Sequence, residues 1–228
     1  MPVPFRSKMK VEMRLCSPLG KKKTTVNGLD ELFEPSLYPP KKQILIAICS
    51  PWIDASALEK ISDLCKGCDE KSVNFYILTF RAHTDWHETT MIKAFRKIRS
   101  EPFTDSFTIG RLPAESNSKG FRADILHAKI YAVAHGRQYV SDTSGTVEEA
   151  FFGSANFTNA GIGNTGEGSS RKFEIVARVA NDDTAGKESV MKAFSKLWYI
   201  CDGQQLGSVG SVDVFFRKYQ VKKAPKEG

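Results

Sequence analysis

The sequence predicts an α/β fold with a mixed central β-sheet flanked by helices. In the first half of the chain, apolar and β-branched segments of strand length, such as 43–49 and 73–80, alternate with amphipathic segments of helical spacing. In the second half, short strand-like segments cluster and only one long amphipathic segment follows them. Early alternation followed by clustered strands implies a mixed sheet with helices packed on it.

Apolar runs predict the strands of the first half, and apolar residues spaced along one face predict the helices. The run 43–49 (QILIAIC) is interrupted by Ser50-Pro51-Trp52, after which Asp54 or Ser56 can cap a helix. The run 73–80 (VNFYILTF) has the composition of a second buried strand. We therefore expect strands at 43–49, 73–80 and 107–112, and helices from 54–56 to about 66 and from 84–85 through 98.

The second half begins with the segment 125–133 (ILHAKIYAV), in which polar side chains interrupt an apolar strand pattern. It ends with the amphipathic segment 187–200, whose apolar residues share one helical face. We expect strands at 125–133, 139–140, 150–152 and 172–179, a polar loop at 141–149 and a helix at 187–200. A single domain over 1–228 is the economical interpretation, with a core at about 41–202 between basic N- and C-terminal extensions.

The 228 residues carry a formal charge of +7, and the excess lies at the two ends of the chain. Residues 1–25 carry +6 and residues 217–228 carry +4, which leaves −3 on the rest. Such a distribution favours an anionic partner, with nucleic acid first and an anionic membrane surface second. The longest apolar run is far shorter than the roughly 20 residues of a membrane helix, so no membrane span is expected. The N-terminus has no apolar signal-peptide region and the five cysteines are scattered, so we expect a cytoplasmic protein.

The residues that suggest chemistry lie between positions 126 and 174. His127 and Lys129 are two residues apart, so on a strand both side chains leave the same face. An apolar strand then ends in the small, hydrogen-bonding turn Gly153-Ser154-Ala155-Asn156, and Glu174 interrupts a later apolar strand. These residue types suit phosphoryl transfer, because an imidazole can attack phosphorus while lysine and asparagine stabilise its oxygens. A buried carboxylate can hold the second imidazole nitrogen. No acidic cluster for Mg²⁺ accompanies them, so we expect no metal and no cofactor.

In this order, His127-Ala128-Lys129, Gly153-Ser154-Ala155-Asn156 and Phe173-Glu174 resemble the HxK…GSxN…E motifs of the phospholipase D superfamily. The resemblance spans about 43–200 and is closest to the nuclease branch, including catalytic domains of metal-independent restriction endonucleases. It implies a phospholipase D-like fold and a metal-independent DNA endonuclease that hydrolyses phosphodiester bonds, with restriction or phage defence as a plausible context.

The resemblance also assigns roles to individual residues. His127 would be the nucleophile, Lys129 and Asn156 would bind the phosphate with support from Ser154, and Glu174 would orient His127. Members with one HxK motif dimerise, and only one occurs here, which implies a homodimer with one active site on its two-fold axis. Two polar segments, 141–149 and 161–170, are expected near that site.

Other interpretations remain open for several of these residues. A phospholipase or phosphatidyl-transferring enzyme and a catalytically idle nucleic-acid-binding subunit are the alternative functions. His127 and Lys129 could lie on the solvent face of an edge strand, and Asn156 and Ser154 could serve only the turn. The CxxC pair Cys65 and Cys68 could bind zinc or act in redox chemistry. His83 and His87 are one helical turn apart and could bind a metal ion.

Overall fold

A computed structural model gives the structure of the chain. It describes residues 8–16, 29–51, 53, 55–69, 72–78, 107–110, 128–158, 174–200 and 204–205. The described strands are β1 (Val11–Cys16), β2 (Ile44–Cys49), β3 (Val73–Leu78), β4 (Phe107–Gly110), β5 (Lys129–His135), β6 (Thr146–Gly153), β7 (Glu174–Val179) and β8 (Gln204–Gln205). The described helices are α1 (Ala55–Cys65) and α2 (Thr184–Ile200), with 3₁₀ turns at Asp30–Phe33 and Pro35–Leu37.

The eight described strands form one mixed sheet in the order β1-β7-β6-β5-β2-β3-β4-β8. Strands β2, β3 and β4 are parallel, with α1 in the connection between the first two, whereas the remaining neighbours are antiparallel. The parallel strand β2 is buried along its whole length, as expected for a strand covered on both faces. The predicted fold class, an α/β fold with a mixed central sheet flanked by helices, is confirmed.

Each face of the sheet has its own apolar core, because alternate side chains of a strand point to opposite faces. The first face carries Tyr131 and Val133 of β5 and is covered by α1 and the 3₁₀ turns. The second carries Ile130, Ala132 and Ala134 of β5 and is covered by α2. The central strand β2 is therefore covered on both faces.

Most predicted elements are found close to their expected bounds. The helix expected from 54–56 to about 66 is α1, and the helix expected at 187–200 begins three residues earlier, at Thr184. The expected strands 43–49, 73–80, 107–112, 125–133 and 172–179 correspond to β2, β3, β4, β5 and β7 where these residues are described. The helix expected from 84–85 through 98 lies outside the described residues.

The strand predicted at 139–140 is wrong, and so is the last part of the predicted loop 141–149, because residues 146–149 belong to β6. Residues 139–140 form a turn, because the Asp142 carboxylate accepts hydrogen bonds from the backbone N–H groups of Gln138 and Tyr139, at 2.9 and 2.8 Å. A local Asp acceptor competes with strand pairing, and here it outweighs the β-propensity of Tyr and Val. Strand β6 then begins at Thr146, well before the predicted 150–152.

The sheet also reaches beyond the core predicted at about 41–202. Strand β1, which lies in the basic N-terminal extension, pairs antiparallel with β7 along its full length, from Val11 opposite Val179 to Cys16 opposite Glu174. Leu29 and Leu32 are buried against the first face of the sheet. Among the described residues, no helix is long and apolar enough to cross a membrane.

Candidate active site

Four strands bring the candidate residues to one edge of the sheet, namely the edge at which these strands begin or end. Strand β2 ends there, and its neighbour β5 begins there, with Cys49 opposite Ile130. Strand β6 ends at the same edge, with Gly153 opposite Lys129, and β7 begins there, with Val176 opposite Gly153. Four segments that are separate in the sequence therefore meet at one place.

Lys129 is buried at this edge, with 3% of its surface exposed, on the same strand face as Tyr131. Burial lowers the pKa of the Lys129 ammonium, because removal from water disfavours the charged form. The Glu174 carboxylate opposes that shift and raises the pKa, as does the Cys49 thiol to a smaller extent. A buried cation beside a carboxylate is suited to binding an anion without competition from bulk water.

Ser154 links the end of β6 to the start of β7. Its hydroxyl donates a hydrogen bond to Oε2 of Glu174 and accepts one from the backbone N–H of Ile175 at 3.0 Å. Its own backbone N–H donates to the Ile175 carbonyl at 2.8 Å. The hydroxyl thus extends the β6–β7 pairing by one step and fixes the Glu174 carboxylate, which is half-buried.

Gly153 allows this close approach of β6 and β7. A Cβ at position 153 would lie 2.2 Å from the Ile175 carbonyl oxygen and 2.9 Å from the Val176 Cα. Both neighbours are backbone atoms, so they cannot move aside as a flexible side chain could. The glycine of the predicted GSxN motif is therefore required by the packing of the strands.

Asn156 lies in the turn that follows β6. The backbone carbonyl of Asn156 accepts a hydrogen bond from Thr158 N–H at 2.8 Å. The side-chain Oδ1 is buried and accepts no hydrogen bond from the described residues. The turn also runs beside the segment after β2, where Ile53 forms a parallel bridge with Phe157.

The structure therefore brings together four of the five predicted site residues: Lys129, Ser154, Asn156 and Glu174. His127, the predicted nucleophile, lies outside the described residues. In the sequence it precedes Lys129, the first residue of β5, by two positions. The carboxylate that sequence analysis assigned to His127 is thus adjacent in the structure to Lys129 and Ser154.

No family model matches the chain, and no curated protein matches it. The fold is similar to that of Nuc, a phospholipase D family member from Salmonella typhimurium, with 13% identity, a TM-score of 0.46, and coverage of 87% of this chain and 99% of that one. It is also similar to a mutant of yeast tyrosyl-DNA phosphodiesterase 1, with 11% identity, a TM-score of 0.39, and coverage of 74% of this chain and 46% of that one. Similarities of this size do not assign an activity to this chain, so any activity must be inferred from the residues of the site.

The polar segment 141–149, expected near the site, lies elsewhere. His135 pairs with Thr146 at the opposite end of the β5–β6 hairpin from the pair Lys129–Gly153. Gly136 and Gly145, both with positive φ (73° and 75°), form that distant turn. The other expected segment, 161–170, lies outside the described residues.

The CxxC pair Cys65 and Cys68 lies in a core and not at the site. Cys65 ends α1, and Cys68 donates from Sγ to the Tyr38 carbonyl at 3.4 Å. Both lie in the core of the first sheet face, where burial raises the pKa of each thiol. His83 and His87 lie outside the described residues. Among the described residues, no group of three or more His, Cys, Asp or Glu could hold a metal ion.

Two residues that sequence analysis did not select also contact the site turn. Ser50 and Tyr131 are both fully buried, and each hydrogen-bonds to the backbone beside Asn156. In the sequence, Ser50 is part of the Ser50-Pro51-Trp52 break after the first strand, and Tyr131 alternates with apolar residues in the same pattern as His127 and Lys129. Neither residue type in isolation indicates contact with a turn more than 20 positions away.

Proposed function

We propose that the chain is a metal-independent phosphodiesterase of the phospholipase D superfamily, acting as a DNA endonuclease. The observation that supports it is the juxtaposition of a buried Lys129 with the Ser154–Glu174 pair at one sheet edge. A cation that is costly to bury, held beside an anchored carboxylate, is typical of a site for an anionic substrate. The alternative in which Lys129 lies on the solvent face of an edge strand requires an exposed side chain, whereas Lys129 is buried.

In the proposed reaction, an imidazole nitrogen of His127 attacks the phosphorus of a phosphodiester. A P–N bond forms as the bond from phosphorus to the leaving oxygen breaks, and a second histidine donates a proton to that oxygen. Water then attacks the phosphohistidine, the P–N bond breaks, and a phosphomonoester is released while the second histidine takes up the water proton. Lys129 and Asn156 would stabilise the charge on the non-bridging oxygens, and Glu174 would hold His127 in the required tautomer.

We propose that the second histidine is His127 of another copy of the chain, in a homodimer with one active site. Only one HxK motif occurs in the sequence, which supports a site completed by symmetry. DNA is the proposed substrate because the charge of +6 on residues 1–25 and +4 on residues 217–228 would attract a polyanion. Restriction or phage defence is a context that this activity would fit.

Plasmid cleavage in excess EDTA tests the proposal. We expect nicking or linearisation to persist with EDTA, and His127→Ala to abolish it while the melting temperature stays unchanged. Strict dependence on Mg²⁺ would contradict the mechanism. Hydrolysis of phosphatidylcholine vesicles without DNA cleavage would favour the lipid enzyme, and DNA binding without cleavage would favour the idle subunit.

Subunit mixing tests the shared site. Wild-type protein is unfolded and refolded with a tenfold excess of His127→Ala, so that most wild-type chains enter mixed dimers. If one site needs both histidines, activity per wild-type chain should fall about tenfold. Activity that stays proportional to the wild-type chains would show that each chain holds a complete site.

A further inference from the structure

Two buried hydroxyl groups hold the backbone on either side of Asn156. Ser50 Oγ accepts a hydrogen bond from the Phe157 backbone N–H at 2.9 Å. The Tyr131 hydroxyl donates a hydrogen bond to the Ala155 carbonyl at 2.6 Å. Both side chains are 0% exposed, so water does not compete for either bond.

These two bonds fix the two peptide planes that meet at the Asn156 Cα. The Ala155 carbonyl belongs to the plane before that Cα, and the Phe157 N–H belongs to the plane after it. Because peptide groups are planar, fixing both planes fixes φ and ψ of the residue between them. The direction of the Asn156 Cα–Cβ bond is therefore set by Ser50 and Tyr131.

Both hydroxyls are themselves held by the sheet. The backbone N–H of Ser50 donates to the Leu78 carbonyl at 2.9 Å, which ties the end of β2 to the end of β3. Tyr131 lies within β5, two residues from Lys129, and its ring packs on Phe157 with centroids 5.6 Å apart. The turn that carries Asn156 is thus anchored to β5, the strand that also carries Lys129.

We propose that Ser50 and Tyr131 are positioning residues that hold Asn156 at a fixed place relative to Lys129, so that both can bind one phosphate. This inference rests on the proposed function of the site. Neither hydroxyl is assigned contact with the substrate, and both act through the turn. Because catalysis is sensitive to displacements of about 1 Å, loss of either bond should lower turnover more than substrate binding.

The test measures plasmid cleavage by Tyr131→Phe and Ser50→Ala, each alone and combined with Asn156→Ala. In the wild-type background, we expect each variant to lower kcat about tenfold with KM changed less than threefold. In the Asn156→Ala background, neither should lower kcat further, because the side chain that they position is gone. An equal loss in both backgrounds would overturn the inference.

Matched controls separate positioning from stability. Tyr38 is a buried tyrosine in the same core whose hydroxyl also donates to a backbone carbonyl, that of Leu32. Ser62 is a buried serine in α1. Tyr38→Phe and Ser62→Ala should retain wild-type kcat, even where they lower the melting temperature as much as the test variants do. Equal kcat losses in test and control variants would contradict the inference.

Amide hydrogen exchange provides a readout that does not depend on activity. Ser50→Ala should accelerate exchange of the Phe157 N–H at least tenfold, while the N–H of Ile46 in the centre of β2 exchanges as in the wild type. Unchanged exchange at Phe157 would overturn the positioning role, whether or not the protein cleaves DNA. If exchange at Phe157 is faster in Ser50→Ala but the wild-type protein cleaves no phosphodiester, the proposed function alone is rejected, and the positioning of Asn156 stands.

Discussion

The hydroxyl of Ser154 donates a hydrogen bond to the carboxylate of Glu174, across the junction between β6 and β7. The same oxygen accepts the N–H of Ile175, so its position is set by the strand pairing. A serine that the sequence associates with phosphate binding therefore holds a carboxylate in this structure. If Glu174 orients His127, Ser154 contributes to the reaction through that carboxylate.

Replacing Ser154 distinguishes the two roles. Ser154→Ala should lower kcat about tenfold through loss of the Glu174 hydrogen bond, with KM nearly unchanged, whereas Ser154→Thr should retain most activity. A large rise in KM with unchanged kcat would instead indicate direct phosphate binding. Ser189→Ala is a control, because that exposed serine donates to the Ala185 carbonyl of its own helix.

Lys129→Met should lower kcat/KM by about 10³-fold, the loss expected when a group that stabilises transition-state charge is removed. The same change should leave the melting temperature at pH 7 equal to or above that of the wild type. Burial lowers the pKa of Lys129 in the folded protein below its value in the unfolded chain. At pH values below the folded pKa, the buried ammonium therefore decreases the free energy of unfolding. This destabilisation is relieved as the pH rises through the folded pKa. A strongly lowered melting temperature would show that Lys129 is structural.

The pH profile of cleavage should report the same side chain. Because burial lowers the pKa of Lys129 from 10.5, its charge should be lost at a lower pH than that of an exposed lysine. We expect kcat/KM to fall on the alkaline side with a midpoint below pH 10.5. In Lys129→Arg, the residual activity should lack that fall, because guanidinium keeps its proton. An identical alkaline midpoint in both proteins would assign it to another group.

Gly153→Ala should destabilise the fold by about 1–3 kcal/mol, a typical cost of inserting an extra carbon into a packed site. The new Cβ would meet the Ile175 carbonyl at 2.2 Å, so β6 and β7 would have to separate where Ser154 binds Glu174. Urea unfolding measures the change. Gly67→Ala, whose nearest atom would be 3.9 Å away, is the matched control and should unfold much as the wild type does.

Arg178→Met should be strongly destabilising, by about 3–5 kcal/mol, because it leaves a buried carboxylate without its partner. Arg178 binds Glu149 with Nε and Nη2, at 3.0 and 2.6 Å, and both residues are buried. Replacing both with apolar residues, as in Arg178→Met with Glu149→Leu, should recover much of the loss. Lys10→Met, which breaks an exposed pair with Asp182, should change the urea midpoint far less.

Local sequence patterns were sufficient to predict the elements whose own residues, close together in the sequence, determine their burial. The apolar run of β2 and the amphipathic spacing of α1 and α2 predicted these elements because their own side chains form the two cores. The turn at 139–140 was missed because one side chain, Asp142, outweighs the propensity of its neighbours. Strand β1 was missed because its alternating charged residues resemble a solvated tail, and only pairing with β7 makes it a strand.

By itself, the sequence determined the chemical identities at the site: a histidine, a lysine, a glycine-serine turn with asparagine, and a glutamate in an apolar strand. Tertiary structure decided what these groups contact. It buried Lys129, joined Ser154 to Glu174, and placed Ser50 beneath a turn 107 residues later in the chain. Residue types can be read from the sequence, but hydrogen bonds between distant segments depend on strand order and register, which form only when the sheet assembles.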